Sequence, residues 1–396
     1  MKICLLSARF PPQRCGVGDY TYFLANALAR IGHEVDVLTA AGDLDELLYP
    51  LPASVRVHRV IANWGTRGLR ALIKHIRELS PDTLLIQYTP HSFDRRGITF
   101  AVNLLPALLR VSRNTRVVTN FHELYIPFGR SLKHNLGAVW QRSAAVLLSV
   151  GSHAITVTTG EWEGLLAGLG IRKHIKMIPV GSNIPQVALS EEERGHLRAE
   201  ILGDSEGLLV AGFGARHFRD MPAAFSALRQ VKKRRLVKFL WIGGGDPDDR
   251  HRVKIEQAQR ANRLSDIDVE WTGVLPHTRV SSLLLACDLM MLPFMDGVST
   301  RRTSAVTALQ HGLPLLTTQG ARLEPWFVHG KNVYLTPVGD TRALEEGLLE
   351  LARTPELRSR LARGASELYD GYFAWDVIAR QVVALAGKDT RLVTSV

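Results

Sequence analysis

The stretch LPFMDGVSTRRTSAVTALQHGLPLLTT, residues 292–318, reads as a helix running into a buried strand. The polar loop before that helix carries Asp296, Gly297, Arg301, Arg302, Thr303 and Ser304. A helix N-terminus offers unpaired backbone N–H groups and the positive end of the helix dipole, so this loop suits an anion. Two adjacent arginines with little acid nearby strengthen that reading.

Further stretches could do related chemistry. In SARFPPQRCGVGDYTYFLANAL, Gly16 and Gly18 lie in a turn before a helix, where small residues let the backbone approach a phosphate. The third glycine of a dinucleotide fingerprint is replaced by Thr21. In GFGARHFRDMPAAFSAL, Arg216 and Arg219 follow Gly212 and Gly214, two cations suited to a diphosphate before another helix. TNFHELYIPFG places His122 and Glu123 after a strand-like run, and LLIQYTPHSFDRRG places Tyr88, His91, Arg95 and Arg96 after another. A glycine pair can equally serve a plain turn, and a strand-end histidine can equally be a bonded core residue. What joins these positions is their placement after the carboxyl ends of strands, where open α/β sheets take ligands.

The elements that must carry them alternate. KICLLSA, EVDVLTA, DTLLIQY, TRVVTNFH, AAVLLSV and AITVTT read as strands; TYFLANALARIG, GLRALIKHIREL and FAVNLLPALLRVS read as helices of period 3.6. This is a βαβ series and predicts a parallel sheet with helices on both faces. A second series starts near residue 207, after a join at IPVGSNIPQVALSEEERGHL, where Asn183 lies and an acidic helix begins. The expected domains are 1–184, joined by a C-terminal helix at about 372–396, and 185–371.

The 396 residues, 46% hydrophobic and 22% charged, suit two ordinary globular domains. Three scattered cysteines form no disulfide or zinc pattern and fit a reducing cytoplasm. The opening MKICLLSARFPP is too short an apolar run for a signal peptide or membrane span. The net charge is +11, and residues 51–150, with 14 Lys/Arg against 4 Asp/Glu, carry nearly all of it. Such a region attracts an anionic partner. No recognition motif accompanies the charge, so nucleic acid is not expected. The helix in WGTRGLRALIKHIREL, residues 64–79, sets Arg67, Arg70, Lys74 and Arg77 on one side near Trp64, a pattern suited to an anionic bilayer.

Taken in order, six stretches resemble the family 4 glycosyltransferases, retaining enzymes of the GT-B fold. They are PPQRCGVGDYTYFLANALARIGHEVDVLTA, IPVGSN, FGARHFRDMPAAFSAL, WIGGG, WTGVLPHTRVSSLLLACDLMMLPF with GLPLLTT, and YFAWDVIARQVVALA. The resemblance implies two Rossmann-like doubly wound domains facing a central cleft. It implies a nucleotide-diphosphate sugar in the second domain, an acceptor in the first, and no cofactor or metal. It gives His122 to the donor sugar near its reacting carbon, and it makes Arg216, Arg219 and the Gly16–Gly18 loop candidates for the diphosphate. Tyr20, Tyr88, His91 and Glu123 become the candidates for the acceptor, a glycan, a lipid-linked or another anionic molecule at the inner membrane face. The chain departs from the pattern at one point. Counting back from Gly312, the family's two glutamates fall on Ser299 and Thr307. A loop longer by three would let Asp296 replace the first, with Arg301, Arg302, Thr303 and Ser304 beside the phosphates or sugar and Thr307 facing the ribose. The other reading of that departure is a nucleotide-sugar-binding partner or sensor with little turnover.

Overall fold

The computed structural model describes residues 1–13, 15–42, 50–110, 115–203, 206–214, 220–243, 253, 256–257, 260, 269–321 and 323–387. The chain divides into two compact units, Met1–Val180 with the segment from Trp375, and Gly181–Ala374.

Among the described residues the first unit builds a seven-stranded parallel sheet. Its strands are β1 (Lys2–Ser7), β2 (Glu34–Ala40), β3 (Val55–Ile61), β4 (Thr83–Tyr88), β5 (Arg116–Phe121), β6 (Ala154–Val157) and β7 (Ile175–Met177). The order is β3-β2-β1-β4-β5-β6-β7, so the winding reverses between β1 and β4. β1 shows why these runs are almost wholly apolar. Ile3 and Leu5 enter the core on one face of the sheet, Cys4 and Leu6 the core on the other. Each fully buried side chain of this kind contributes about 1.5–3 kcal/mol. Around the sheet lie α1 (Gly16–Arg30), α2 (Thr66–Leu79), α3 (Pro90–Phe93), α4 (Ala101–Arg110), α5 (Leu132–Gly151) and α6 (Glu161–Gly168).

The second unit opens with α7 (Glu191–Leu202), started by a capping box: Ser190 Oγ accepts from the Glu193 N–H and the Glu193 carboxylate accepts from the Ser190 N–H. Among the described residues its sheet has six parallel strands, β8 (Leu208–Phe213), β9 (Val237–Ile242), β10 (Val269–Trp271), β11 (Leu289–Leu292), β12 (Leu315–Gln319) and β13 (Tyr334–Pro337). The order β10-β9-β8-β11-β12-β13 reverses between β8 and β11. Its helices include α8 (Met221–Lys232), α9 (His277–Ala286), α10 (Thr303–Gln310), α11 (Thr341–Arg353) and α12 (Pro355–Leu368), followed by a π-helical turn at Tyr369–Phe373.

The chain then returns to the first unit as α13 (Trp375–Ala386). Trp375, Ile378, Ala379 and Val382 join the core formed by α1 and β1. Arg30 donates to Asp376 at 2.7 Å, and Arg116 Nε donates to the Leu385 carbonyl at 2.8 Å.

Two expectations need correction. AAVLLSV, read as a strand, is the last part of α5: Ala144, Ala145 and Leu148 are buried at helical spacing, and periodicity alone cannot separate a short apolar run from a helix. On α2, Trp64 does not join an outward membrane-facing stripe. Its ring packs edge-on against Phe93, 4.8 Å between centroids, leaving an outer face of Arg67, Arg70, Lys74 and Arg77 without a large exposed apolar side chain.

Candidate active site

Candidate residues gather in two places, one in each unit. In the first unit they lie past the carboxyl ends of β4 and β5, which pair in register from Thr83–Arg116 to Tyr88–Phe121. The His122 N–H donates to the Tyr88 carbonyl at 2.8 Å, and Thr89 Oγ1 donates to the Glu123 carboxylate at 2.7 Å. The two strand ends are thereby tied together, with His91 and Glu123 exposed beside them.

His122 is held by a polar ladder that crosses the sheet. Its Nε2 stands 2.7 Å from Gln87 Oε1, which also accepts from Asn120 Nδ2 at 3.0 Å. Asn120 Oδ1 in turn accepts from Thr156 Oγ1 at 2.8 Å. His122 Nε2 also lies 3.2 Å from Asn120 Nδ2. Since Gln87 Oε1 can only accept, the shorter contact is a hydrogen bond in the tautomer with its proton on Nε2, which leaves Nδ1 as the basic nitrogen. Burial of the ring lowers its pKa to about 3, so the imidazole is neutral near pH 7. The Tyr20 ring lies edge-on to His122 at 4.6 Å and to Trp375 at 5.1 Å.

The histidine carries a stability signature. Its pKa is lower folded, about 3, than unfolded, about 6.5, so over that window the unfolded chain binds a proton that the native chain refuses. Stability therefore falls as pH falls below about 6.5. At pH 5 the cost is about 2 kcal/mol. Urea unfolding of wild type and His122→Gln at pH 7 and pH 5 should show the wild type losing more by about that amount; equal losses would contradict the buried neutral state.

The second cluster follows β11, at the reversal point of the second sheet. Asp296 accepts from Arg302 and, at 3.4 Å, from Arg301. Arg302 is the more enclosed, with 16% of its side chain exposed against 41% for Arg301, and its guanidinium sits 4.8 Å from the centre of the Phe294 ring. Burial works against the Arg302 charge, and Asp296 offsets it. The loop that holds this triad is tightly built. Gly297 has φ +86°, and a Cβ there would stand 2.2 Å from the backbone nitrogen of Gly320. Glu324, 9% exposed, anchors the middle by accepting from Thr300 Oγ1 at 2.7 Å and from the Thr300 N–H. Ser299, Thr303 and Ser304 lie half-buried along the same loop and helix start, and Arg302 caps α10 with no side-chain bond to its first N–H groups.

Three expected roles change, and one position shifts. Tyr88 is fully buried between Phe93 and Phe121, with its hydroxyl pushed up to about 12 by burial, and is a core residue without access to an acceptor. Tyr20 is likewise buried and supports the His122 ring. Thr307 has no exposed surface; its hydroxyl donates to the Thr303 carbonyl and meets Ser182 Oγ at 3.0 Å, so it fastens the start of the second unit to α10 and cannot face a ribose. Gly16 and Gly18 lie inside the first turn of α1 and not before it. A Cβ on Gly16 would meet nothing within 4 Å, whereas one on Gly18 would stand 3.0 Å from the Arg9 carbonyl oxygen, so the phosphate-facing part of that expectation rests on the first-turn N–H groups of α1. Arg216 and Arg219 lie outside the described residues. Gln87, Asn120 and Glu324 emerge only here; they are uncharged or isolated in sequence, and no spacing marks them.

Comparison with known proteins adds the following. Residues 15–181 match the family model of a glycosyl transferase 4-like domain, and residues 208–354 match that of glycosyl transferases group 1. WcaL of Salmonella typhimurium, named for a glycosyltransferase of colanic acid biosynthesis, is 27% identical over 174 residues, which span 42% of this chain and 41% of that protein. Sucrose-phosphate synthase from Thermosynechococcus elongatus superposes with a TM-score of 0.73 at 17% identity, covering 97% of this chain and 98% of its own. HepE of Anabaena, solved with UDP and glucose, does so with a TM-score of 0.71 at 17% identity and the same coverage. At such identities the likeness to the solved structures is one of fold, the GT-B class with two Rossmann-like units.

Proposed function

Because the chain belongs to the family 4-type glycosyltransferases, with both of its halves matched by models of that group, we propose that it moves a sugar, with retention, from a nucleotide-diphosphate sugar to an acceptor hydroxyl. The observation that carries this reading is the Asp296–Arg301–Arg302 triad at the start of α10. Fixed cations beside an uncapped helix N-terminus suit the charge that grows on a departing diphosphate. With the leaving phosphate taking the acceptor proton, the protein's task is electrostatic, and the arginine pair supplies the positive charge without a divalent metal. The second unit is then the donor unit and the first the acceptor unit. The charge of residues 51–150 favours an anionic or lipid-linked acceptor and contact with the inner face of a membrane.

Ser299 and Thr307, where the family has glutamates, favour a second reading, a nucleotide-sugar-binding partner or sensor with weak turnover. One experiment separates the two: binding and slow hydrolysis of UDP-, GDP-, ADP- and dTDP-sugars, with Arg219→Ala and Arg302→Ala as controls. Binding with hydrolysis, both lost in the variants, supports the transferase. Binding without hydrolysis supports the sensor, and no binding at all removes the donor site.

A further inference from the structure

The outer face of α5 is apolar, and among the described residues nothing covers it. Leu132, Leu136, Val139, Leu147 and Val150 are all exposed, at 76% and 64% for the first two. With Ser143 they follow one another at steps of four, three, four, four and three, so they form one stripe along a 20-residue helix about 30 Å long. The opposite face of α5 is already buried in the core, through Ala138, Ala144, Ala145 and Leu148. A helix that is apolar on both sides wants a second partner. α4 extends the surface: the two helices cross closely at Gly151, where a Cβ would stand 2.6 Å from the Ala107 nitrogen, and Leu108 is exposed on the α4 side. Phe100, 55% exposed, lies 6.0 Å from Trp140 on α5.

Charge says what the partner is. Exposed Arg110, which donates to the Val150 carbonyl, and exposed Arg130 and Lys133 at the start of α5 lie beside the stripe, and between Asp94 and Glu161 the sequence holds a single acid, Glu123. A symmetric dimer through this face would set two such basic surfaces against each other. An anionic bilayer meets both features, taking the apolar stripe into its headgroup boundary and the flanking cations onto its phosphates. We propose that the α4–α5 face of the first unit docks the protein on the surface of an anionic membrane. This deepens the membrane contact proposed above and moves it from the charged face of α2 to an apolar one.

The test is co-sedimentation of the full chain with phosphatidylcholine vesicles, with and without phosphatidylglycerol. Wild type should partition onto the mixed vesicles and release with salt. The triple variant Leu132→Ser/Leu136→Ser/Val139→Ser should lose about tenfold or more in partition while keeping its unfolding midpoint. Arg130→Glu/Lys133→Glu, which leaves the apolar stripe untouched, should lose binding to the mixed vesicles as well. If both variants bind like wild type, the face is wrong and the membrane contact stands through other residues. If wild type binds no vesicle, the membrane contact itself falls. A concentration-dependent dimer in sedimentation velocity that the triple variant dissociates would assign the face to a second copy and overturn the proposal. Donor-sugar hydrolysis in solution, expected unchanged in both variants, keeps these outcomes apart from the transferase reading.

Discussion

Replacing His122 with alanine is expected to lower turnover about a hundredfold or more while leaving donor affinity within about threefold. The asymmetry follows from the state of the ring. A cationic histidine would bind the diphosphate in the ground state, and its loss would appear in affinity. The imidazole here is neutral, with a pKa lowered to about 3 by burial, and its Nε2 faces the Gln87 carbonyl oxygen at 2.7 Å. In the proposed role it would offer a positioned acceptor nitrogen to the reacting sugar but no charge, so its contribution would belong to the transition state. Positioning is shared with Gln87, whose carbonyl is itself fixed by Asn120. Gln87→Glu would put a carboxylate against Nε2 and favour the protonated ring, so turnover in that variant should fall with decreasing pH at values where wild type is flat. Single-turnover rates and nucleotide-sugar titrations for both variants decide the matter. Full activity in His122→Ala, or a loss confined to affinity, would sink the role.

How much of this was legible in the sequence depended on the signal each residue left. The βαβ alternation predicted two parallel sheets because buried parallel strands are nearly continuous apolar runs, as β1 and β4 are. The same property misled at AAVLLSV, where a helix buried on one face and apolar on the other mimics a strand. Site positions at strand ends could be named, since open α/β sheets fix where ligands enter. Which side chains at those ends reach solvent was not readable: Tyr88 and His122 stand near two adjacent strand ends, yet one is a core aromatic and the other sits on a polar ladder. Thr307 shows the limit of motif counting. The count places it at the family position, but α10 turns it inward to Ser182, a contact across 125 residues that no local spacing encodes. Glu324 was hidden for the same reason, its partner Thr300 lying 24 residues earlier.

Arg302→Ala is expected to weaken nucleotide-diphosphate binding by about 1.5–3 kcal/mol, roughly ten- to hundredfold, and Arg301→Ala by less. Both guanidinium groups meet Asp296, but only Arg302 is enclosed and set over Phe294. A cation already held in place gives up little freedom when a phosphate arrives, whereas the more exposed Arg301 must be ordered. Arg302→Lys should recover little, because a point charge on a flexible stem replaces neither the planar contact with Phe294 nor the two-pronged geometry. Calorimetric titration with the preferred nucleoside diphosphate measures all three variants, and unchanged affinity in Arg302→Ala would take the arginine out of the site. Asp296→Asn then tests what the carboxylate does. As a mere tether it competes with the phosphates for the same arginines, so removing its charge should leave affinity equal or higher and turnover intact. As the stand-in for the family's first glutamate it holds the donor sugar, and turnover should fall while diphosphate affinity holds or rises. The second pattern is the expected one, because a loop braced by Gly297 against Gly320 and by Glu324 against Thr300 holds Asp296 in place without help from its charge.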